Sequence, residues 1–241
     1  MAEVALTLDV DWAPEIAIDS VAEQLVAHRV RATWFITHMS PAVERLRRHP
    51  ELFELGIHPN FLQGSSHGDT PSEVLRHCLS LVPDAISMRT HALVQSTPIF
   101  DLVMEETPIR IDVSLFLPRA TWIRPVEYLR HGRVLVRVPY FWEDDFEMAR
   151  GVQNERRLAP LLSGPGLKVF VFHPIHVYLN SARMAPYESL KWKVPRLAEA
   201  APGDVAPFIE RMGEGMQTLF MELVKHLADH GGMSCVRDLR E

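Results

Sequence analysis

At 241 residues, with 47% hydrophobic and 23% charged residues, the chain has enough apolar side chains to bury a full core in one domain and is too apolar to read as disordered. Its formal charge of −6 comes without a long basic run, which excludes the electrostatic footprint of a nucleic-acid binder. No stretch approaches the roughly 20 apolar residues of a membrane-spanning helix, and the N-terminus runs into an apolar segment without a basic region or a small-residue cleavage site, so a cytoplasmic protein is expected.

The first apolar run, residues 4–8, predicts a strand and ends in Asp9 and Asp11. Ser20 to Glu23 has the pattern of a capping box ahead of Val21, Leu25 and Val26, so a helix is expected to start there. Residues 32–36 and 54–57 predict the next two strands, the second delivering His58 at its end. Thr70 and Glu73 form another capping box that opens a helix over 74–81; a strand at 85–88 and a helix from Thr97-Pro98 follow. Further strands are expected at 109–116, 134–138, 168–172 and 234–237. Residues 180–203 hold three prolines, little periodicity, and the aromatics Tyr187 and Trp192, which predicts a long loop able to act as a lid. Asp204 stands where it can cap a long amphipathic stretch that closes at Gly231-Gly232. Strand and helix thus alternate, and an α/β fold with a parallel sheet and helical crossovers is expected, as one domain over 1–241. The two cysteines, Cys78 and Cys235, lack metal-ligand spacing and are expected as buried free thiols.

The polar residues that stand out follow directly on the apolar runs: Asp9 and Asp11, then His58, then Arg89 and His91, then His173 and His176. In a parallel barrel such positions converge on one face, where sites are built. Asp9 and Asp11 are two apart, so both point toward one spot if the strand end stays extended. One carboxylate suits a divalent metal and the other a general base, although strand-end aspartates also commonly cap the next turn. The loop after His58 returns through His67, and two histidines with an aspartate give a three-ligand set that leaves a position open for water, with Asn60 as an alternative oxygen ligand. His173, delivered by a strongly apolar strand, suits the acid that protonates a departing amine. Arg89 can hold a catalytic carboxylate in orientation. His91 and His176 are expected to touch substrate, and Trp142, within a run of aromatics and acids from Tyr140 to Asp145, to stack on a sugar.

Together these motifs resemble the NodB-homology polysaccharide deacetylases, carbohydrate esterase family four. Thr7-Leu8-Asp9-Val10-Asp11 looks like the family's first motif in its spaced variant, which implies Asp9 as base and Asp11 as metal ligand. Ala32-Thr33-Trp34-Phe35 is similar to the second strand, and Glu54-Leu55-Gly56-Ile57-His58 resembles the strand carrying the first metal histidine. Arg89-Thr90-His91 stands at the arginine motif, and Val171-Phe172-His173 at the catalytic histidine. The wording of Gly56 to Phe61, Gly64 to Gly68 and Phe172 to His176 is most like the WbmS-type branch, associated with bacterial surface polysaccharide synthesis. The resemblance implies a distorted (β/α) barrel and zinc-dependent N-deacetylation of sugars. Two departures stand out. The family has its metal histidines four apart, but position 62 is Leu62, so His67 is expected as the second histidine ligand in preference to Asn60; and the proline that continues the arginine motif is replaced by His91.

The expected substrate is therefore an amino sugar carried on a nucleotide, a lipid or an oligosaccharide. Removal of formyl in place of acetyl, hydrolysis of small non-sugar amides, and a carbohydrate-binding homologue without catalysis are the rival readings. The pairing of an acid and a base with metal ligands favours the enzyme over the binder.

Overall fold

The structure is a computed structural model that describes residues 3–151 and 158–239; the remaining residues of the 1–241 span expected as one domain lie outside it. Among the described residues nine strands form one sheet: β1 (Glu3–Asp9), β2 (Ala32–Ile36), β3 (Phe53–Ile57), β4 (Ser87–Met88), β5 (Ile111–Phe116), β6 (Val126–Arg130), β7 (Arg133–Tyr140), β8 (Trp142–Glu143) and β9 (Leu167–Phe172). Their order is β6-β7-β5-β4-β3-β2-β1-β9-β8. Every pair is parallel except β6 with β7. No ladder joins β6 to β8 among the described residues, and the parallel run is the distorted, unclosed version of the expected barrel. An isolated bridge from Ile123 to Leu167 brings the segment ahead of β6 onto β9.

The α-helices are α1 (Glu15–Ala27), α2 (Pro41–Leu46), α3 (Pro71–Leu81), α4 (Thr97–Glu106), α5 (Asp144–Arg150), α6 (Leu158–Leu161), α7 (Pro174–Leu179), α8 (Ala185–Lys193), α9 (Pro202–Val205) and α10 (Met216–His230). Strands β2 and β9 are buried along their whole length and β1 along all but its first residue, as expected of parallel strands covered on both faces. The sheet is pinned at the N-terminal ends of its strands by Glu54. That buried carboxylate accepts from Thr33 Oγ1 (2.9 Å), Ser87 Oγ (2.7 Å) and the Arg237 N–H (2.8 Å), which ties β2, β3, β4 and the C-terminal segment together. A buried charge so fully hydrogen-bonded is tolerated, and it leaves the opposite strand ends free to carry chemistry.

Four local expectations are corrected. Helix α1 begins at Glu15 behind Pro14, so Ser20 and Glu23 lie inside it and cap nothing; proline's fixed φ starts the helix five residues before the capping-box pattern. Residues 180–203 are not a loop. They hold α8, a 3-10 turn at Leu197–Glu199 and α9, because Pro186 and Pro202 sit in first turns, where proline initiates a helix as readily as it breaks one elsewhere. Asp204 accepts from the Ala201 N–H within α9, and the long amphipathic helix starts only at Met216. Residues 234–237 form no strand: the Ser234 N–H donates to the Val4 carbonyl at 2.9 Å and the chain turns into a 3-10 helix at Val236–Asp238. Where Thr70 caps α3, both capping-box hydrogen bonds form as expected. Cys78 and Cys235 are buried free thiols.

Candidate active site

At the carboxyl end of β1 the backbone leaves the strand through two consecutive left-handed residues, Asp11 (φ 43°) and Trp12 (φ 53°). Such conformations cost a non-glycine residue roughly 1–3 kcal/mol each and collect at functional sites. Both carboxylates stay on the same pocket, Asp11 Oδ1 at 3.0 Å and Asp9 Oδ2 at 3.9 Å from His58 Nε2, but their nearest partners differ.

Asp9 is buried, and its Oδ1 lies 2.6 Å from Arg89 Nη1, which follows β4. The same guanidinium donates to Thr7 Oγ1 (2.9 Å) and to the Val113 carbonyl (3.1 Å). It is held between the rings of Phe35 and Tyr140, at 4.7 and 4.8 Å. All three guanidinium nitrogens donate and an aromatic ring lies over the group on either hand, so Asp9 meets a fixed partner rather than a mobile surface cation.

Asp11 instead gathers imidazoles. Its Oδ1 is 3.0 Å from His58 Nε2, past the end of β3, and 3.0 Å from His91 Nδ1. One ligand atom from each of these three residues lies within 4.8 Å of the others. Burial works against ionising Asp11, but hydrogen bonds from His58 and His91 outweigh it and hold the carboxyl well below the usual carboxylate range. His91 reaches this point because its N–H is tied to the Pro59 carbonyl (3.0 Å) and because Ala92 and Leu93, at φ 52° and 54°, fold the following turn back. Two imidazoles and an ionised carboxylate are the kind of donor set that a catalytic divalent-metal site uses, and the residues present fit such an ion.

His173, at the end of β9, completes the constellation. Asp144, the first residue of α5, receives both the His173 N–H and Nδ1, each at 2.7 Å. Burial opposes charge on the His173 ring, yet Asp144, aided by Asp145, outweighs it and holds the imidazolium well above histidine's ordinary range. Nε2 is left facing Asp11, whose Oδ2 is 3.7 Å away. His176 is buried, stands 5.5 Å from the His173 ring and 4.7 Å from Tyr187, and is kept neutral by that burial. Glu143 accepts from the Tyr140 hydroxyl at 3.2 Å, and burial, then the neighbouring Asp145, pushes its carboxyl up to about 8. Asp9, Asp11, His58, His91, Glu143 and His173 all line one pocket of about 460 Å³, a size that takes a sugar.

The structure thus brings together Asp9, Asp11, His58, Arg89 and His173, and it moves the other expected residues to different places. His67 is corrected. Its Nε2 faces the Thr37 carbonyl at 2.9 Å, its Nδ1 accepts from the Asn60 N–H at 3.2 Å, and burial pushes it down to about 4. With both nitrogens so engaged, it braces the loop after β3. The side chain of Asn60 accepts from the Leu62 N–H and closes a local turn. Trp142 is 1% exposed and packs on Phe170 and Phe172, so its ring belongs to the core and offers no face to a sugar. His91, expected at the substrate, stands as the second imidazole beside Asp11. Sequence reasoning missed Asp144 as the partner of His173, although the acidic run Glu143-Asp144-Asp145 after an apolar strand was a signal that an acid ended up there.

Comparison with known proteins adds a family and a fold. The family model described as WbmS-like polysaccharide deacetylase matches residues 6–191. No curated protein matches the sequence. Among solved structures, a Bordetella bronchiseptica protein described as a polysaccharide deacetylase involved in O-antigen biosynthesis is 33% identical, over 92% of this chain and 90% of its own, with a TM-score of 0.80. A peptidoglycan N-acetylglucosamine deacetylase is 14% identical over 98% of this chain and 87% of its own, with a TM-score of 0.52. A 4-alpha-glucanotransferase from Thermococcus litoralis has the same TM-score at 9% identity, over 99% of this chain and 38% of its own. These last two share the fold alone.

Proposed function

The chain belongs to the WbmS-like polysaccharide deacetylases, and from that premise we propose that it is a metal-dependent amidohydrolase removing an N-acyl group, acetyl in the first place, from an amino sugar of a bacterial surface-polysaccharide precursor in the cytoplasm. The observation that carries the reading is the meeting, in one pocket, of a possible metal triad (Asp11, His58, His91), a carboxylate fixed by arginine (Asp9 with Arg89) and a histidine fixed by aspartate (His173 with Asp144). A binder has no need of the last two pairs. The similarity to a protein described as acting in O-antigen biosynthesis supports the surface-polysaccharide setting.

Asp11, His58 and His91 would hold the ion, with zinc the best match to two imidazoles and a carboxylate. When bound, such an ion supplies a Lewis acid that acidifies water and polarises an amide carbonyl. Asp9 is the base: it takes a proton from the attacking water as oxygen bonds to the acyl carbon. Arg89 keeps that carboxylate aimed by holding Oδ1 at 2.6 Å, while Oδ2 lies 3.9 Å from His58 Nε2. As the C–N bond breaks, its electron pair stays on nitrogen, and His173 delivers a proton from Nε2 so that the amine departs neutral. Asp144 holds the ring by Nδ1, which fixes the tautomer and keeps the donor charged. His176, neutral and buried against His173, closes the far side of the acid from water.

Acetate release from a panel of N-acetylated amino sugars is the test. Turnover by the wild type that vanishes in Asp9→Asn, with metal content unchanged, is the expected result. Normal turnover in Asp9→Asn would end the assignment of the base, and absence of release from every sugar tried would end the deacetylase reading.

A further inference from the structure

Beside the catalytic pocket lies a second cavity of about 480 Å³, and the two share Asp11 and His91. Its other walls include Trp12, Tyr187, Lys191 and Arg196. Trp12, the second of the two left-handed residues at the end of β1, has its backbone N–H tied to Thr37 Oγ1 at 2.9 Å and its ring 5.3 Å from those of His91 and His67. Strain of this kind persists where the surrounding structure enforces it for a purpose. What it achieves here is an indole wall at the junction of the two cavities.

The cavities differ in charge. The catalytic one adds the carboxyl groups of Asp9, Glu143 and Asp145 and the imidazolium of His173 to the shared Asp11, whereas the second adds the two flexible cations Lys191 and Arg196. Asp11 apart, Glu199 is the one carboxylate on the second wall. It meets Arg196 at 3.4 Å with both side chains exposed, 67% and 81%, a pairing that water and salt weaken. Lys191, in the last turn of α8, has no carboxylate partner among the described residues; its ammonium lies 5.7 Å from the Tyr187 ring. An anionic group attached to the sugar is drawn to the Lys191 ammonium and the Arg196 guanidinium on this wall.

We propose that the second cavity is a subsite for a phosphate or diphosphate ester on the amino sugar, held by Lys191 and Arg196 beside the rings of Trp12 and Tyr187. The assignment rests on the deacetylase reading and narrows it: the substrate is an activated sugar, not a neutral polymer. Nucleotide-linked and lipid-linked sugars share this chemistry.

The test is calorimetric titration of the metal-loaded full chain with inorganic diphosphate, beside the double variant K191A/R196A, both of whose altered side chains are exposed. Affinity should fall about tenfold or more in the variant, some 1.4 kcal/mol, and should fall with added salt in the wild type. Farnesyl diphosphate and uridine diphosphate then identify the source: whichever binds more tightly than diphosphate itself gives the carrier. No diphosphate binding by the wild type, or equal binding by both proteins as a metal-held anion would give, overturns the subsite. Binding is read without turnover, so failure to release acetate would remove the deacetylase reading and leave this result standing.

Discussion

Arg89 Nη1 and Asp9 Oδ1 lie 2.6 Å apart although eighty residues separate them, and both side chains are almost wholly buried. A buried pair of this kind is poor evidence of net stability, but breaking it is costly because one charge is left behind. Arg89→Met should therefore destabilise the protein by about 3–5 kcal/mol, read from urea unfolding. In the double variant Arg89→Met with Asp9→Asn much of that loss should return. A single variant as stable as the wild type would show that the pair carries no such penalty.

Metal content separates His91 from His67. His58→Ala and His91→Ala should each lose bound zinc, as read by elemental analysis of purified protein. His67→Ala should keep it, while losing roughly 1–3 kcal/mol because the Thr37 carbonyl and the Asn60 N–H lose their buried partner. Zinc lost in His67→Ala and kept in His91→Ala would return His67 to the ligand set.

Asp144 acts through His173, and its replacement tests that with a pH profile. In Asp144→Asn the counter-charge that raises His173 is gone, so the imidazolium loses its proton at lower pH. The alkaline limb of kcat should move downward, and kcat should drop by about 10²–10⁴-fold, the range for loss of an acid catalyst, with KM little changed. A limb that stays in place would show that His173 is not the group titrating there.

Gly56 is a packing requirement of the same site. A Cβ there would stand 2.7 Å from Ser87 Oγ and 2.8 Å from the Phe35 ring, closer than real contacts allow. Gly56→Ala should cost about 1–3 kcal/mol by overpacking and, by shifting β3 two residues before His58, lower metal affinity as well. Equilibrium dialysis against zinc, beside urea unfolding, checks both; an unperturbed variant would mean that β3 and β4 have slack that the packing does not show.

The contrast between His91 and His67 shows where the sequence stops being legible. Both histidines follow strand ends, and by spacing from His58 the nearer one is the better candidate. The choice turns on Ala92 and Leu93, which adopt left-handed conformations without a glycine to announce them, and on a carbonyl at Thr37 that claims the His67 ring. Asp144 was hidden for a related reason: its partner lies 29 residues away, and which of three consecutive acids points inward depends on where β8 ends and α5 begins. Trp142 misled in the opposite direction, since an aromatic at a strand end reads the same whether it faces the pocket or the core.

What the sequence determined by itself is the alternation of apolar runs with helical patterns, and with it the delivery of Asp9, Asp11, His58, Arg89 and His173 to the ends of parallel strands; hydrophobic periodicity is a local property, and the residue that ends a buried strand is read directly from it. What only the tertiary structure decided is which of the remaining polar groups meet: His91 with Asp11, Asp144 with His173, and Lys191 and Arg196 with the second cavity. Those meetings rest on left-handed turns and on proline-started helices. Their geometry is imposed by packing against distant residues, and no local pattern in the chain encodes it.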